Sequence, residues 1–346
     1  MNDPRHTPLP FNALPKPSRL KNPVIIQVAK LLVAAFLFYL LYRYGFFNLT
    51  ALKAIAGNYS MVALAGLLIF ITVPLGSLRW WLLLQTQGIN IGLTRAFNIF
   101  YLGFFANTVL LGAIGGDVVR GTYICKQIQG SRLPALTTIL IDRIFGLYAI
   151  LVVGALSGLL LPPAAFASAA VTFLYAVMVG LCALATLAIT ISLVFSTSLE
   201  AHASRKNWGN RNYVLAKFLD LFAAMGLFRQ APARLCLGLA LSLLIQFLTV
   251  VSLFIICKAE GSFGLTLWEC SFAASLALVA SIIPITPGGL GVGEGSFAQI
   301  GALFLASNAA QGYVDPYLAF RLIGFLVALP GLFYYFLAGG KSGPVC

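Results

Sequence analysis

The chain has 346 residues, of which 60% are hydrophobic and only 9% charged, against about a quarter charged in ordinary soluble domains. That balance excludes a soluble domain and puts most of the chain in a bilayer. The net charge of +13 is what cytoplasmic loops give any inner-membrane protein; it implies no nucleic-acid partner and supports an anionic lipid surface only weakly.

In chain order, residues 1–23 form a Pro-rich basic tail with Arg5, Lys16, Arg19 and Lys21. The tail is expected to be disordered and cytoplasmic. The apolar run Val24–Leu41 follows without a small-residue cleavage pattern and reads as an uncleaved anchor. Beyond this run, which carries Lys30 near its start, uncharged stretches run Met61–Leu78, Ile144–Leu199, Leu235–Cys257, Cys270–Gly293 and Leu322–Gly340, each near or above the roughly 20 residues that span a membrane. Leu161-Pro162-Pro163 divides Ile144–Leu199 into two helices. The six cysteines, Cys125, Cys182, Cys236, Cys257, Cys270 and Cys346, show no paired spacing, which argues against a disulfide framework and against a zinc site.

Lys and Arg in short loops orient the chain. The tail, Arg79–Arg95 and the loop Glu200–Arg234 are all basic and are expected inside. The segment Ala96–Arg132 must then return to the side it left. Ala96–Leu111 and Val118–Gln129 read as the arms of a hairpin open to the cytoplasm and broken at Gly115-Gly116. Cys270–Ile283 and Ser296–Ala306 form a second hairpin, open to the exterior and broken at Pro287-Gly288-Gly289. Leu322–Phe336 returns the chain and leaves Lys341 inside. The predicted fold is an all-α polytopic membrane protein: a single transmembrane domain over 24–340, with about six spanning helices and two oppositely oriented broken-helix hairpins. That arrangement suggests an inverted repeat, and both termini are expected in the cytoplasm. Within the basic loop 200–234, Val214, Leu215, Phe218, Phe222 and Met225 recur at helical spacing; a helix lying in the interface and one packed on the hairpin mouth fit equally.

Backbone that leaves a helix at membrane depth must be buried in protein or line a wet cavity. Broken helices at matching places in two halves usually mark a transporter's binding site. The first break offers Gly115, Gly116, Asp117 and Arg120. Asp117 is either a helix cap or a functional acid. Arg120 in a re-entrant segment needs a partner or solvent, and its planar fork suits a phosphate. Asp142 and Arg143 open the next span, where Arg143 snorkels or Asp142 pairs with Arg120. The second break offers Pro287, Gly288, Gly289, Gly291 and Gly293, then Glu294 in a first helical turn. Glu294 either complements the helix dipole or acts as a coupling or headgroup-contacting carboxylate. Arg321, at the head of the last span, is its expected partner. The glycine string follows no strand and precedes no Lys-Ser or Lys-Thr, so it is no nucleotide loop.

These motifs, Gly115-Gly116-Asp117-Val118-Val119-Arg120, Asp142-Arg143-Ile144-Phe145-Gly146 and Pro287-Gly288-Gly289-Leu290-Gly291-Val292-Gly293-Glu294-Gly295, resemble in that order the lysylphosphatidylglycerol synthase transmembrane (flippase-like) family. The resemblance runs from about Val24 to Phe336. It implies a polytopic inner-membrane protein that moves lipids, with relatives linked to aminoacylated phosphatidylglycerol, hopanoids and polyprenyl-linked sugars. It assigns Asp117, Arg120, Asp142, Arg143 and Glu294 to the shared core. With no soluble synthase domain before Cys346, the chain is not expected to aminoacylate lipid itself; a separate lipid-modifying synthase is then an expected partner. The leading function is a translocator for an anionic, amphipathic or polyprenyl-linked lipid, with no cofactor, metal or catalytic residue. The alternative is an integral-membrane transferase acting on a lipid phosphate, for which nine acids and two histidines without a close-spaced cluster leave little.

Overall fold

The computed structural model describes residues 53, 55–109, 115–128, 133–205, 231–261, 264–282, 291–304 and 314–332, with backbone alone for 109 and 192–205. All fall within one compact unit, residues 45–346. In order, the helices are α1 (Tyr59–Thr86), α2 (Leu93–Val109), α3 (Gly115–Cys125), α4 (Leu133–Leu159), α5 (Ala169–Arg205), α6 (Pro232–Ala259), α7 (Leu267–Ile282), α8 (Val292–Ala302) and α9 (Val314–Ala328). No strand occurs among the described residues, and the chain is an all-α membrane protein. In α1, α4, α6 and the Ala169–Ile191 part of α5, length and composition suffice to cross a bilayer.

Why these segments are helices is visible in α1. Its interior face, Ile69, Val73, Ser77, Trp80 and Leu84, recurs every three or four residues, while Leu64, Leu67, Phe70 and Ile71 face outward. Those outward leucines and aromatics have no business in water and suit acyl chains. Pro74 lies inside α1, which a membrane helix tolerates when neighbours satisfy the freed carbonyl. Leu161-Pro162-Pro163 does end α4, and a short 3-10 turn at Pro163–Ala167 leads into α5.

Two contacts set α1 antiparallel to α6: the Asn58 amide donates to the Ala259 carbonyl near one end, and Arg79 Nη1 donates to Ser242 Oγ near the other. The Ser157–Ser271 hydroxyl pair and the seating of Gly154 against Ser275 set α4 antiparallel to α7. Arg79 and Trp80 of α1 bond Asp142 and Thr138 of α4 respectively, so these two are antiparallel as well. A short connection folds α2 back along α1, with Gly76 against the Phe100 ring. Helix α2 therefore runs opposite to α7. The pairs α2–α3 and α7–α8, each of short helices packed on one another, are two hairpins of opposite orientation, as the basic residues require.

Four boundaries depart from the sequence reading. Asp142 and Arg143 do not open a span: α4 begins at Leu133, and the hydroxyls of Thr137 and Thr138 bond back to the carbonyls of Leu133 and Ala135. Arg79 is not a loop residue but sits buried in α1. Gly115 and Gly116 begin α3 rather than precede it. Arg321 lies midway along α9, which starts at Val314, not at the head of a span. In the three charged cases the cause is the same: a charge ends a hydropathic run only when it meets water, and these charges meet opposite charges instead. The expected anchor Val24–Leu41, the stripe Val214–Met225, Pro287, Gly288, Gly289 and Lys341 lie outside the described residues.

Candidate functional site

The predicted site residues that are described gather in two groups. The first is built on α1, α3 and α4 around Asp142, which is 3% exposed. Arg79 Nε donates to its Oδ1 at 2.7 Å and Arg120 Nη1 to its Oδ2 at 3.0 Å, so one carboxylate serves two buried guanidinium groups. Arg79 also donates to Ser242 Oγ at 2.9 Å, tying α6 into the network. Nearer the surface, Arg143 forks onto Asp117, with Nε 2.7 Å from Oδ2 and Nη2 3.1 Å from Oδ1. Asp117 Oδ1 is 3.6 Å from Arg120 Nη1, a longer contact that links the two pairs.

Helix packing explains why Arg120 is held here. Gly116 crosses Gly103 so closely that a Cβ at Gly116 would run into the Gly103 carbonyl oxygen and the Asn107 side chain. Only glycine permits that approach. The Asn107 carbonyl Oδ1 accepts the Gly116 N–H at 2.7 Å and fixes the start of α3. One turn on, the stem of Arg120 lies on Gly103, and its guanidinium carbon stands 4.5 Å from the Trp80 ring centroid and 4.7 Å from that of Phe100. Such cation–π contacts offset part of the cost of desolvating an arginine. Arg120 nevertheless keeps two buried nitrogens, Nε and Nη2, with no hydrogen-bond partner among the described residues.

A groove of about 480 Å³ runs between α3 and α4 beside this cluster, lined by Asp117, Gly121, Thr122, Lys126, Leu136 and Ile139 among others. Its wall is mostly apolar, with the Asp117 carboxylate and Lys126 as its charged groups. A cleft that combines a charged site with a greasy wall between two helices suits an amphipathic molecule.

The second group is built on α7, α8 and α9. Glu294 is 1% exposed. Its Oε2 accepts the Gly291 N–H at 2.8 Å, closing the first turn of α8 where Gly291 takes φ +81°, a conformation glycine reaches without strain. Arg321 Nε lies 3.0 Å from Glu294 Oε1, but no hydrogen bond reaches that oxygen, so the attraction is Coulombic and the N–H points off axis. Arg321 also reaches Ser281 Oγ at 3.5 Å and lies over the Tyr317 ring. Gly293 sits under Ser281, Arg321 and Tyr317. Thus Glu294 both caps a helix and pairs with Arg321. The remaining predicted residues, Pro287, Gly288 and Gly289, are outside the described set.

Sequence reasoning missed Arg79, Ser242, Trp80, Phe100 and Asn107. For Arg79 a signal existed: the apolar run does not stop there but continues through Trp80-Trp81-Leu82-Leu83-Leu84, so the arginine interrupts a helix rather than ending it. Ser242, Asn107 and the two rings carry no such mark, because their roles depend on helix crossings between distant segments. Among the described residues no group of three or more His, Cys, Asp or Glu is placed to hold a metal ion.

Comparison with known proteins agrees with this architecture. A family model described as the lysylphosphatidylglycerol synthase TM region matches residues 26–331. Two membrane proteins named UPF0104 from Methanothermobacter thermautotrophicus (strain Delta H) are similar over most of their length. One is 24% identical over 336 residues, covering 89% of this chain and 94% of the relative. The other is 22% identical over 282 residues, covering 76% and 82%.

Proposed function

The chain belongs to the lysylphosphatidylglycerol synthase TM region family, and from that membership and the two buried charge clusters we propose that it is an inner-membrane translocator. Its substrate is an anionic or amphipathic lipid, a polyprenyl-linked lipid included, which it moves between leaflets. Both termini face the cytoplasm in this reading, and a separate enzyme makes or modifies the lipid.

One observation carries the proposal: Arg120 is buried with unspent hydrogen-bonding capacity, and its neighbours Asp117 and Gly121 line a groove that is apolar along most of its wall. A buried charge is expensive unless it is paired or solvated, and charges within membrane segments commonly mark substrate or ion paths. Arginine's fork is suited to a phosphate oxygen pair. The apolar groove walls suit the acyl or prenyl chain that travels with it. Glu294, in the oppositely oriented hairpin, and Arg321 of α9 form the counterpart, as alternating access between repeats needs a second element to open and close.

Purified protein in liposomes tests this directly. A labelled lipid should redistribute between leaflets without chemical change, and Arg120→Ala and Glu294→Gln should each slow that movement. Appearance of a covalently modified lipid with no redistribution of its parent would replace the translocator by a transferase. Undiminished movement in both variants would remove these residues from the site.

A further inference from the structure

We propose that Arg79 is the residue that turns the α3–α4 cluster from a closed salt-bridge network into an anion receptor. This rests on the reading of that cluster as the lipid site and adds to it a role for a residue outside all three sequence motifs.

The argument is one of charge and of bond directions. Without Arg79, the predicted residues cancel: Asp117 and Asp142 against Arg120 and Arg143. Asp117 is already held by the two-pronged grip of Arg143 at 2.7 and 3.1 Å. Asp142 would then be the nearest charge left to neutralise Arg120, Asp117 standing farther off at 3.6 Å, and a carboxylate and a guanidinium left to themselves close into a bidentate pair. Such a pair would use two of Arg120's nitrogens and all of its charge. Arg79 prevents that. It occupies Oδ1 of Asp142 at 2.7 Å and is itself fixed by Ser242 at 2.9 Å, while Ser242 is anchored to the Gly238 carbonyl. Arg120 is left with a single bond to Oδ2. Its Nε and Nη2 remain buried and unbonded.

The inner trio of Arg79, Arg120 and Asp142 thus holds two positive charges on one negative, with the donor edge of Arg120 unspent. A buried unpaired positive charge is costly in a low-dielectric interior. The group that relieves it is an anion carrying one negative charge and at least two acceptor oxygens, of the kind a phosphodiester presents. Arg79 never needs to touch that anion; it is a positioning residue, acting through Asp142. The rings of Trp80 and Phe100 keep Arg120 in place while its edge is empty.

The test is binding, measured apart from transport. Wild-type protein in phosphatidylcholine nanodiscs is titrated with dihexanoyl phosphatidylglycerol, with dihexanoyl glycerol, which lacks the phosphodiester, as the uncharged control. Arg79→Met should weaken binding of the anionic probe at least tenfold, while Arg79→Lys stays within about threefold of wild type. The decisive variant is Arg79→Met with Asp142→Asn. It removes one charge of each sign, restores the excess positive charge on Arg120 and should return affinity to within about threefold of wild type. Thermal unfolding of each variant verifies that it is folded. If the wild type shows no preference for the anionic probe, the lipid-site reading fails and this inference with it. If the wild type binds but the single variant binds equally well, or the folded double variant stays as weak as the single one, the site reading stands and the role of Arg79 is refuted.

Discussion

Arg79 and Asp142, 63 residues apart in sequence, meet in the protein interior with Nε 2.7 Å from Oδ1, and Asp142 takes Arg120 on its other oxygen. Asp117, by contrast, is 19% exposed in its side chain and pairs with an Arg143 that is 42% exposed. Removing one partner of a buried pair costs on the order of 3–5 kcal/mol, whereas a surface pair contributes about 1 kcal/mol or less. Asp142→Asn strands two guanidinium groups and should lower the unfolding temperature sharply. Asp117→Asn should lower it little. Equal losses in the two variants, measured in the same nanodiscs, would mean that the Asp142 network is solvated and not a structural centre.

The crossing of α2 and α3 makes a second comparison. Gly116→Ala places a methyl where the Gly103 carbonyl stands. Overpacking of this kind typically costs about 1–3 kcal/mol and shifts the backbone, and Arg120 one turn away shifts with it. Lipid movement should fall more than protein yield. Gly180 on α5 is the control, since a Cβ there meets nothing within 4 Å; Gly180→Ala should be neutral or stabilise the helix by up to about 1 kcal/mol. Full transport by Gly116→Ala would show that the crossing does not position the site.

How much of this was readable in the chain divides along a physical line. Apolar runs and the sides on which Lys and Arg fall depend on local composition, and they led to the spans and the two opposed hairpins. The Glu294–Arg321 pairing was also legible, because each is a lone charge in an apolar stretch and opposite charges in a membrane seek each other. Arg79 was marked only by the apolar run that continues past it to Leu84, and the basic segment ending at Arg95 masked that signal, because loop residues and buried residues look alike until the helix register is known. The same ambiguity hid the true start of α4, nine residues before Asp142. The aromatic shelf under Arg120 is set by a crossing of α1, α2 and α3, and periodicity reports only which residues share a face, not which face they meet.

Glu294 separates capping from charge. Glu294→Gln keeps an oxygen that accepts the Gly291 N–H but gives up the attraction to Arg321; Glu294→Ala gives up both. Loss of a helix cap costs about 0.5–2 kcal/mol. The alanine variant should therefore be the less stable, while both should be slow in lipid movement. A glutamine variant with wild-type transport would restrict Glu294 to holding the first turn of α8.

Glu260, just beyond the end of α6, gives a pH signature. Burial, and then the Asp315 carboxylate, push it up to about 7 from an ordinary 4.5. Because the folded protein holds this proton more tightly than the unfolded chain, the contribution is complete below pH about 4.5 and is lost as pH rises through about 7. Unfolding temperature should decline over that window and then level, and Glu260→Gln should remove that part of the decline. Parallel curves for the two proteins between pH 4.5 and 8.5 would show that Glu260 is solvated like any surface carboxylate.

The orientation of the whole unit is open to labelling. Arg234 begins α6 and Lys258 ends it, 24 residues apart, which at about 1.5 Å per residue is roughly 36 Å and exceeds a hydrocarbon core of about 30 Å. The two exposed residues must therefore face opposite compartments. Helix α1 runs antiparallel to α6, so the Thr86 end of α1 shares a side with Arg234, and Ile124 of α3 packs with Trp80 and Leu84 near that end. Lys126, two residues on and exposed, belongs to the same side. Among the described residues, Arg95, Lys126 and Arg234 are exposed charges there, while the other end sets Lys53 and Lys258 against Glu260, Glu269 and Asp315. An excess of basic residues marks the cytoplasmic face. In a cysteine-free background, Lys126→Cys and Arg234→Cys should be modified only after an impermeant thiol reagent reaches the cytoplasm, and Lys258→Cys from outside intact cells. Labelling of Lys126→Cys from outside together with Arg234→Cys from inside would mean that α2 and α3 cross the membrane instead of turning back within it, and would remove the first hairpin from the site.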